Sequence, residues 1–313
     1  MDTTFTGRFA PSPTGKLHLG NARSALLGWL QARAAGGRFL LRIEDLDRGR
    51  SRDAHVERIY RDLEWLGLGW DETPILQSQR GPRYAEALAQ LGRAGRIYAC
   101  RCSRAEIARA ASAPHAGEEG PRYPGTCSGL ALPWDAPGAG RGAALRFRPE
   151  PGVTRFVDRV MGPQAQDVAA VVGDFVVRRN DGVASYQLAV VVDDADSGVT
   201  DVLRGDDLLG STARQLQLQA ALGLTPPRHA HVPLVHGEDG KRLAKREGAF
   251  ALEDLREAGM DPERVIGLLA AWSGLGDGGP MRAEALVADF SLERLPRAPA
   301  QTSESAIRSA LGL

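Results

Sequence analysis

Residues 8–37, RFAPSPTGKLHLGNARSALLGWLQARAAGG, decide how this chain is read. Pro11, Pro13, Gly15 and Gly20 build a stiff, glycine-broken turn around His18. Leu19, Ala22, Leu26 and Leu30 then follow helical spacing until Gly36 and Gly37 stop it. Upstream, TTFTGRFA reads as a short strand, so the opening unit is strand, loop, helix. The next stretch, RFLLRIEDLD, places Phe39, Leu41 and Ile43 on one strand face and releases Glu44, Asp45 and Asp47 at its carboxyl end. In open parallel sheets ligands bind at that end. Helices are expected from near Ser51 to Gly67 and from about Tyr84 to Gly95, and the class is α/β.

From about residue 96 to 185 the character shifts. SAPHAGEEGPRYPGTCSG and LPWDAPGAGRGAA are rich in Pro, Gly and Ala, and short strand-like runs follow in ALRFR, VTRFVDRV and DFVVRRNDGVASY, the last with an Asn-Asp-Gly turn signal. The α/β pattern returns with VTDVLRG as a strand and STARQLQLQAALG as a helix that Ser211 or Thr212 could cap. YQLAVVVDD fits strand or helix equally. Asp261 and Pro262 form an N-cap and first-turn pair before ERVIGLLAAW. The expected organisation is the first half of an α/β domain over 1–95, an inserted subdomain over 96–185, the second half of that domain over 186–240, and a basic loop with a helical region over 241–313.

With 313 residues, 43% hydrophobic and 25% charged, the composition is that of a globular chain able to bury a core. The 39 basic and 39 acidic residues cancel, so net charge argues neither for nor against a nucleic-acid partner. No basic leader with an apolar core and no membrane-length apolar run is present, which gives a cytoplasmic expectation with no membrane partner. Three cysteines, in CRC and TC, argue against a disulfide framework and for a metal site. Cys100, Cys102 and Cys127 supply three thiolates, and four-coordinate zinc needs one further ligand. His115 and Tyr123 lie between them, His115 being the usual zinc donor; the alternative is that the cysteines are plain buried or free thiols. His229 and His231 show no metal spacing and read as surface or packing residues, and the DDADSG run at 193–198 lacks calcium-loop spacing.

A histidine beside Gly20 at a helix start suits polyphosphate binding, since the helix end offers free N–H groups and the glycine admits close approach. Further on, GEDGKRLAKREG at 237–248 gathers Lys241, Arg242, Lys245 and Arg246 between glycines, as a triphosphate losing pyrophosphate requires. Each stretch alone is also compatible with an ordinary turn or a solvated loop.

Together, HLGN and RLAKR resemble the HIGH and KMSKS signatures of class I aminoacyl-tRNA synthetases. RFAPSPTGKLHLG, LRIEDLD, YQLAVVVDDADSGVTDVLRGDDLL and GKRLAKREGA, in that order, resemble the glutamyl-tRNA synthetase subfamily across its catalytic domain. Two positions depart from the signatures: Asn21 ends the first and Ala244 replaces the serine of the second. The resemblance implies that Arg8, Ser12, Glu44, Tyr186 and Arg204 hold glutamate, with Glu44 receiving the α-ammonium group, and that His18, Gly20, Asn21 and Lys245 bind ATP, His18 and Lys245 being catalytic. ATP with Mg2+ is the implied co-substrate pair. The chain ends about seventy residues after the basic loop, too soon for the helical anticodon-reading module of full synthetases. The match is therefore to their short paralogues, the glutamyl-queuosine tRNA(Asp) synthetases, which esterify glutamate onto queuosine in the anticodon loop. That resemblance favours Tyr123 over His115 as the fourth ligand of one structural Zn2+, and implies a monomer working on tRNA(Asp). A minimal glutamyl-tRNA synthetase charging the terminal adenosine and a catalytically silent RNA-binding paralogue are the alternatives.

Overall fold

The structure, a computed structural model, describes residues 4–103, 105–107, 122–130, 132–135, 142–243 and 250–313. Strands β1 (Thr6–Phe9), β2 (Arg38–Ile43) and β3 (Ile75–Leu76) form a parallel sheet in that order, with Arg8 opposite Leu40. The crossover from β1 to β2 is α1 (Leu19–Ala34), which ends where Gly36 takes φ of 60°, a conformation that costs only glycine nothing. Helix α2 (Asp53–Trp65) leads towards β3. Phe39, Leu41 and Ile43 pack with Leu26 and Leu30 of α1 in the main core. Each such fully buried side chain contributes about 1.5–3 kcal/mol by leaving water. The other face of β2 is covered too, and it carries Arg42 at 2% exposure, so the strand is buried on both faces.

After α3 (Gly81–Arg93) the chain enters an antiparallel sheet of β4 (Ile97–Cys100), β5 (Ala144–Phe147) and β8 (Phe175–Arg178). Strands β6 (Val153–Asp158) and β7 (Gly162–Asp167) form a separate hairpin, followed by the short helix α4 (Val168–Val171). The ambiguous YQLAVVVDD run is helical as α5 (Tyr186–Asp196). Ser185 caps it by accepting from the Leu188 N–H, and Gln187 through Asp194 are all buried. A helix covered on every side has no polar stripe, which is why periodicity could not separate it from a strand.

Strands β9 (Asp201–Gly205) and β10 (Arg228–Val232) then pair in parallel, with Arg204 opposite His231, and flank α6 (Thr212–Leu222). Thr200 N donates to Thr6 O at 2.9 Å, which sets β9 beside β1 and aligns the carboxyl ends of both pairs. The rest comprises β11 (Val235–His236) paired with β12 (Ala300–Gln301), and helices α7 (Leu252–Glu257), α8 (Pro262–Trp272) and α9 (Glu304–Leu311). Asp261 accepts from Glu263 N and Pro262 opens α8, as its sequence suggests. Among the described residues no helix is long and apolar enough to cross a membrane.

Candidate active site

A cleft of about 680 Å³ opens at the carboxyl ends of β1, β2 and β9. It brings together Arg8, Ser12, His18, Gly20, Asn21, Glu44, Tyr186 and Arg204. Lys245 and Ala244 lie outside the described residues, but Arg242, Leu243 and Phe250 on either side of that segment line the same cleft. Ala251, just beyond, pairs with His18, and Leu252 N donates to Leu17 O at 2.9 Å, so residues 251–252 are tied to the start of α1.

The start of α1 explains one departure from the signature. Asn21 stands at the third helical position, and its Oδ1 accepts from the backbone N–H of His18, the helix's N-cap residue, at 3.3 Å. It thus fills the reciprocal place that Glu or Gln holds in a capping box. A Cβ built on Gly20 would meet nothing within 4 Å, so this turn of the helix faces open space.

Arg204 is 6% exposed, and five neutral acceptors hold it. Its Nε donates to His231 Nε2 at 2.9 Å, and Nη2 donates to Gln215 Oε1 at 2.9 Å, Thr212 Oγ1 at 3.0 Å and Leu208 O at 3.3 Å. Nη1 donates to Tyr186 Oη at 3.3 Å. Among the described residues no carboxylate pairs with it. Burial, with the nearby Arg8 charge, lowers its pKa from the ordinary arginine value, and Tyr186 and Asp194 only partly offset this. The arrangement is built to receive an anion.

Glu44 is positioned differently, through an alternating chain of charges. Asp194 Oδ1 accepts from Arg8 Nε at 3.2 Å and from Arg42 Nη1 at 2.5 Å, and Arg42 Nη2 reaches Glu44 Oε1 at 3.3 Å. Burial pushes the Asp194 carboxyl up, but Arg42 and Arg8 outweigh it and hold the group below the usual carboxylate range. For Glu44 burial wins over Arg42 and Arg8, and its pKa lies above the ordinary value. A desolvated carboxylate in that state gains from an ammonium partner.

Away from the cleft, Cys100, Cys102 and Cys127 bring their sulfurs within 4.8 Å of one another. Tyr123 Oη lies 3.4 Å from Cys100 Sγ and 3.7 Å from Cys102 Sγ, and accepts from Cys127 N at 2.8 Å. His115 lies outside the described residues. Tetrahedral zinc with bonds to sulfur of about 2.3 Å needs sulfurs about 3.8 Å apart, which this spacing suits. Arg146 adds a test of fit: its Nε donates to Cys100 Sγ at 3.2 Å and its Cζ sits 3.7 Å from the Tyr123 ring centroid. A buried guanidinium against neutral thiols is poorly compensated, whereas metal-bound thiolates match its charge.

Sequence reasoning passed over Arg42, Asp158 and Gln215, and gave Asp194 and His231 no part in the site. Of the two readings of His229 and His231, surface or packing, the structure shows the second: they are 5% and 0% exposed, and His231 touches Arg204 directly. Asp193, Asp194 and Asp196, whose run looked faintly like a calcium loop, are counter-charges to Arg80, Arg8, Arg42 and Arg83. A signal was available in the alternation of RHAHV, which sets His229 and His231 on the same face of one strand.

Residues 4–304 match the family of class I tRNA synthetases (E and Q), catalytic domain. The chain is 52% identical over 319 aligned positions to the glutamyl-Q tRNA(Asp) synthetase of Symbiobacterium thermophilum, covering 98% of each chain. It is 51% identical to the enzyme of that name from Nocardia farcinica, covering 94% of this chain and 91% of the other. Its fold is similar to the crystal structure of glutamate-tRNA synthetase from Elizabethkingia anophelis, with a TM-score of 0.83 at 26% identity, covering 98% of this chain and 70% of that one.

Proposed function

This chain belongs to the class I tRNA synthetases of the glutamate and glutamine type, within the glutamyl-Q tRNA(Asp) synthetases, and we propose that it activates L-glutamate with ATP and transfers it to queuosine in tRNA(Asp). The observation that carries this reading is Arg204, a buried cation held by neutral groups and, among the described residues, without a carboxylate partner, in one cleft with Arg8, Tyr186 and Glu44. Glutamate's γ-carboxylate lies against Arg204, Arg8 and Tyr186, and its ammonium group lies near Glu44 and Ser12. Glutamine, being uncharged, would leave the Arg204 charge unmatched, which selects against it.

With the amino acid fixed by both ends, its α-carboxylate attacks the α-phosphorus of ATP, pyrophosphate leaves, and glutamyl-adenylate forms. Positioning and charge stabilisation supply most of the catalysis. His18, Gly20 and Asn21 at the start of α1 face the triphosphate, and Lys245 neutralises charge developing at the α-phosphate and pyrophosphate. Magnesium, if bound there with ATP, would neutralise negative charge on the triphosphate. A hydroxyl of the queuosine cyclopentene diol then attacks the activated carbonyl, AMP leaves, and an ester is formed. The cysteines with Tyr123 would hold one structural zinc, and a metal there would tie the end of β4 to the segment around Cys127. The test is ATP–pyrophosphate exchange: it should depend on L-glutamate, be absent with glutamine and be lost in Lys245→Ala. Exchange that runs equally well with glutamine would refute the pocket assignment.

A further inference from the structure

We propose that Asp158 and His231 form a tautomer-fixing pair that orients Arg204 and thereby sets the affinity for glutamate. This rests on the reading above, in which Arg204 holds the substrate's side-chain carboxylate.

The hydrogen-bonding capacity of each atom fixes the arrangement. A guanidinium only donates, so His231 Nε2, 2.9 Å from Arg204 Nε, must present its lone pair. The imidazole proton is therefore on Nδ1, which donates to Asp158 Oδ2 at 2.6 Å. Both side chains are fully buried, so no solvent can exchange these roles. Asp158 is itself over-determined: its Oδ1 accepts from the backbone N–H groups of Val160 at 3.0 Å, Met161 at 2.8 Å and His231 at 3.0 Å. Only Oδ2 remains for the imidazole. Asp158 closes β6 and His231 lies on β10, so the β6–β7 hairpin reaches the back of the glutamate pocket.

Asp158→Asn separates this role from mere packing. The three backbone N–H groups keep the amide oxygen at the Oδ1 position, which turns the amide NH2 towards His231 Nδ1. Nδ1 must then accept, the imidazole proton moves to Nε2, and an N–H faces the N–H of Arg204. The shape is conserved and the acceptor is lost. His231→Gln is the complementary variant, because its amide oxygen can occupy the place of Nε2.

The experiment measures KM for glutamate and for ATP, with kcat, in the full-length wild type and in Asp158→Asn, His231→Gln, His231→Leu and Arg204→Ala. The expected result is a glutamate KM raised about tenfold or more in Asp158→Asn and His231→Leu, since a buried donor loses its acceptor. The KM for ATP should be unchanged, and His231→Gln should stay within about threefold of wild type for glutamate. Wild-type glutamate KM in Asp158→Asn, alongside a strong defect in Arg204→Ala, would overturn the pair while leaving the pocket assignment standing. An Arg204→Ala variant that binds glutamate normally would overturn the pocket assignment itself, and the pair with it. Equal losses for ATP and glutamate in every variant would mark a general structural role and also overturn the proposal.

Discussion

Arg204 and Arg146 are both buried, and among the described residues neither has a carboxylate partner, yet their surroundings differ. Arg204 is held by oxygen and nitrogen acceptors drawn from β10, α5, α6 and the turn at Leu208. Arg146 leans on a sulfur, an aromatic ring and the carbonyl of Asp174. The first environment fixes direction and leaves charge over for a ligand. The second is soft, and it suits a centre whose own negative charge appears when a metal ionises the thiols. An uncompensated buried cation thus marks two different kinds of site, and the nature of its neutral partners tells them apart.

The comparison breaks most sharply at Arg204. Arg204→Ala should raise the glutamate KM in pyrophosphate exchange by about 100-fold or more and leave the KM for ATP near wild type. Equal weakening of both would show that the guanidinium serves the whole cleft. Arg146→Met should lower zinc affinity by about tenfold, read by competition with a chromogenic chelator, without altering the glutamate KM. Unchanged metal affinity would place Arg146 outside the cysteine site. A smaller loss, several-fold, is expected for Tyr123→Phe. Full zinc retention there, combined with loss in His115→Ala, would transfer the fourth ligand to His115.

The smallest effect concerns pH. Burial and Arg204 depress the pKa of His231 despite its hydrogen bond to Asp158, and burial takes the neighbouring His229 down to about 3. His231 is therefore neutral at and above the ordinary imidazole pKa of about 6.5. Its contribution to stability is whole above that value and is lost as pH falls towards the depressed folded value, because the unfolded chain takes up the proton first. The glutamate KM should stay flat from pH 8 to about 6.5 and rise only under more acid conditions. A KM already about doubled at pH 6.5 would show that His231 titrates near its ordinary value.

Much of this was legible before any coordinate. The order of strand, glycine-broken turn and helix gave α1 and β2, and Arg8, Ser12 and Glu44, proposed to hold glutamate, share a cleft because each lies at a strand's carboxyl end or in the turn that follows. What escaped the sequence has one physical character. Arg42, Asp158, Asp194 and His231 are charged or titratable side chains whose partners lie far along the chain, as with Arg8 and Asp194, 186 residues apart. Local pattern reports which face a residue takes, not what meets it there. For the same reason YQLAVVVDD stayed ambiguous until its burial on all sides was seen.

The central claim concerns the acceptor, and the most direct measurement is transfer of radiolabelled glutamate, with ATP, to tRNA from cells able or unable to make queuosine. A portion of each preparation is treated beforehand with periodate, which cleaves vicinal diols. The account predicts labelling of tRNA(Asp) only from queuosine-producing cells, lost after periodate. Labelling of glutamate tRNA irrespective of queuosine would contradict it and make the chain a minimal synthetase for the terminal adenosine.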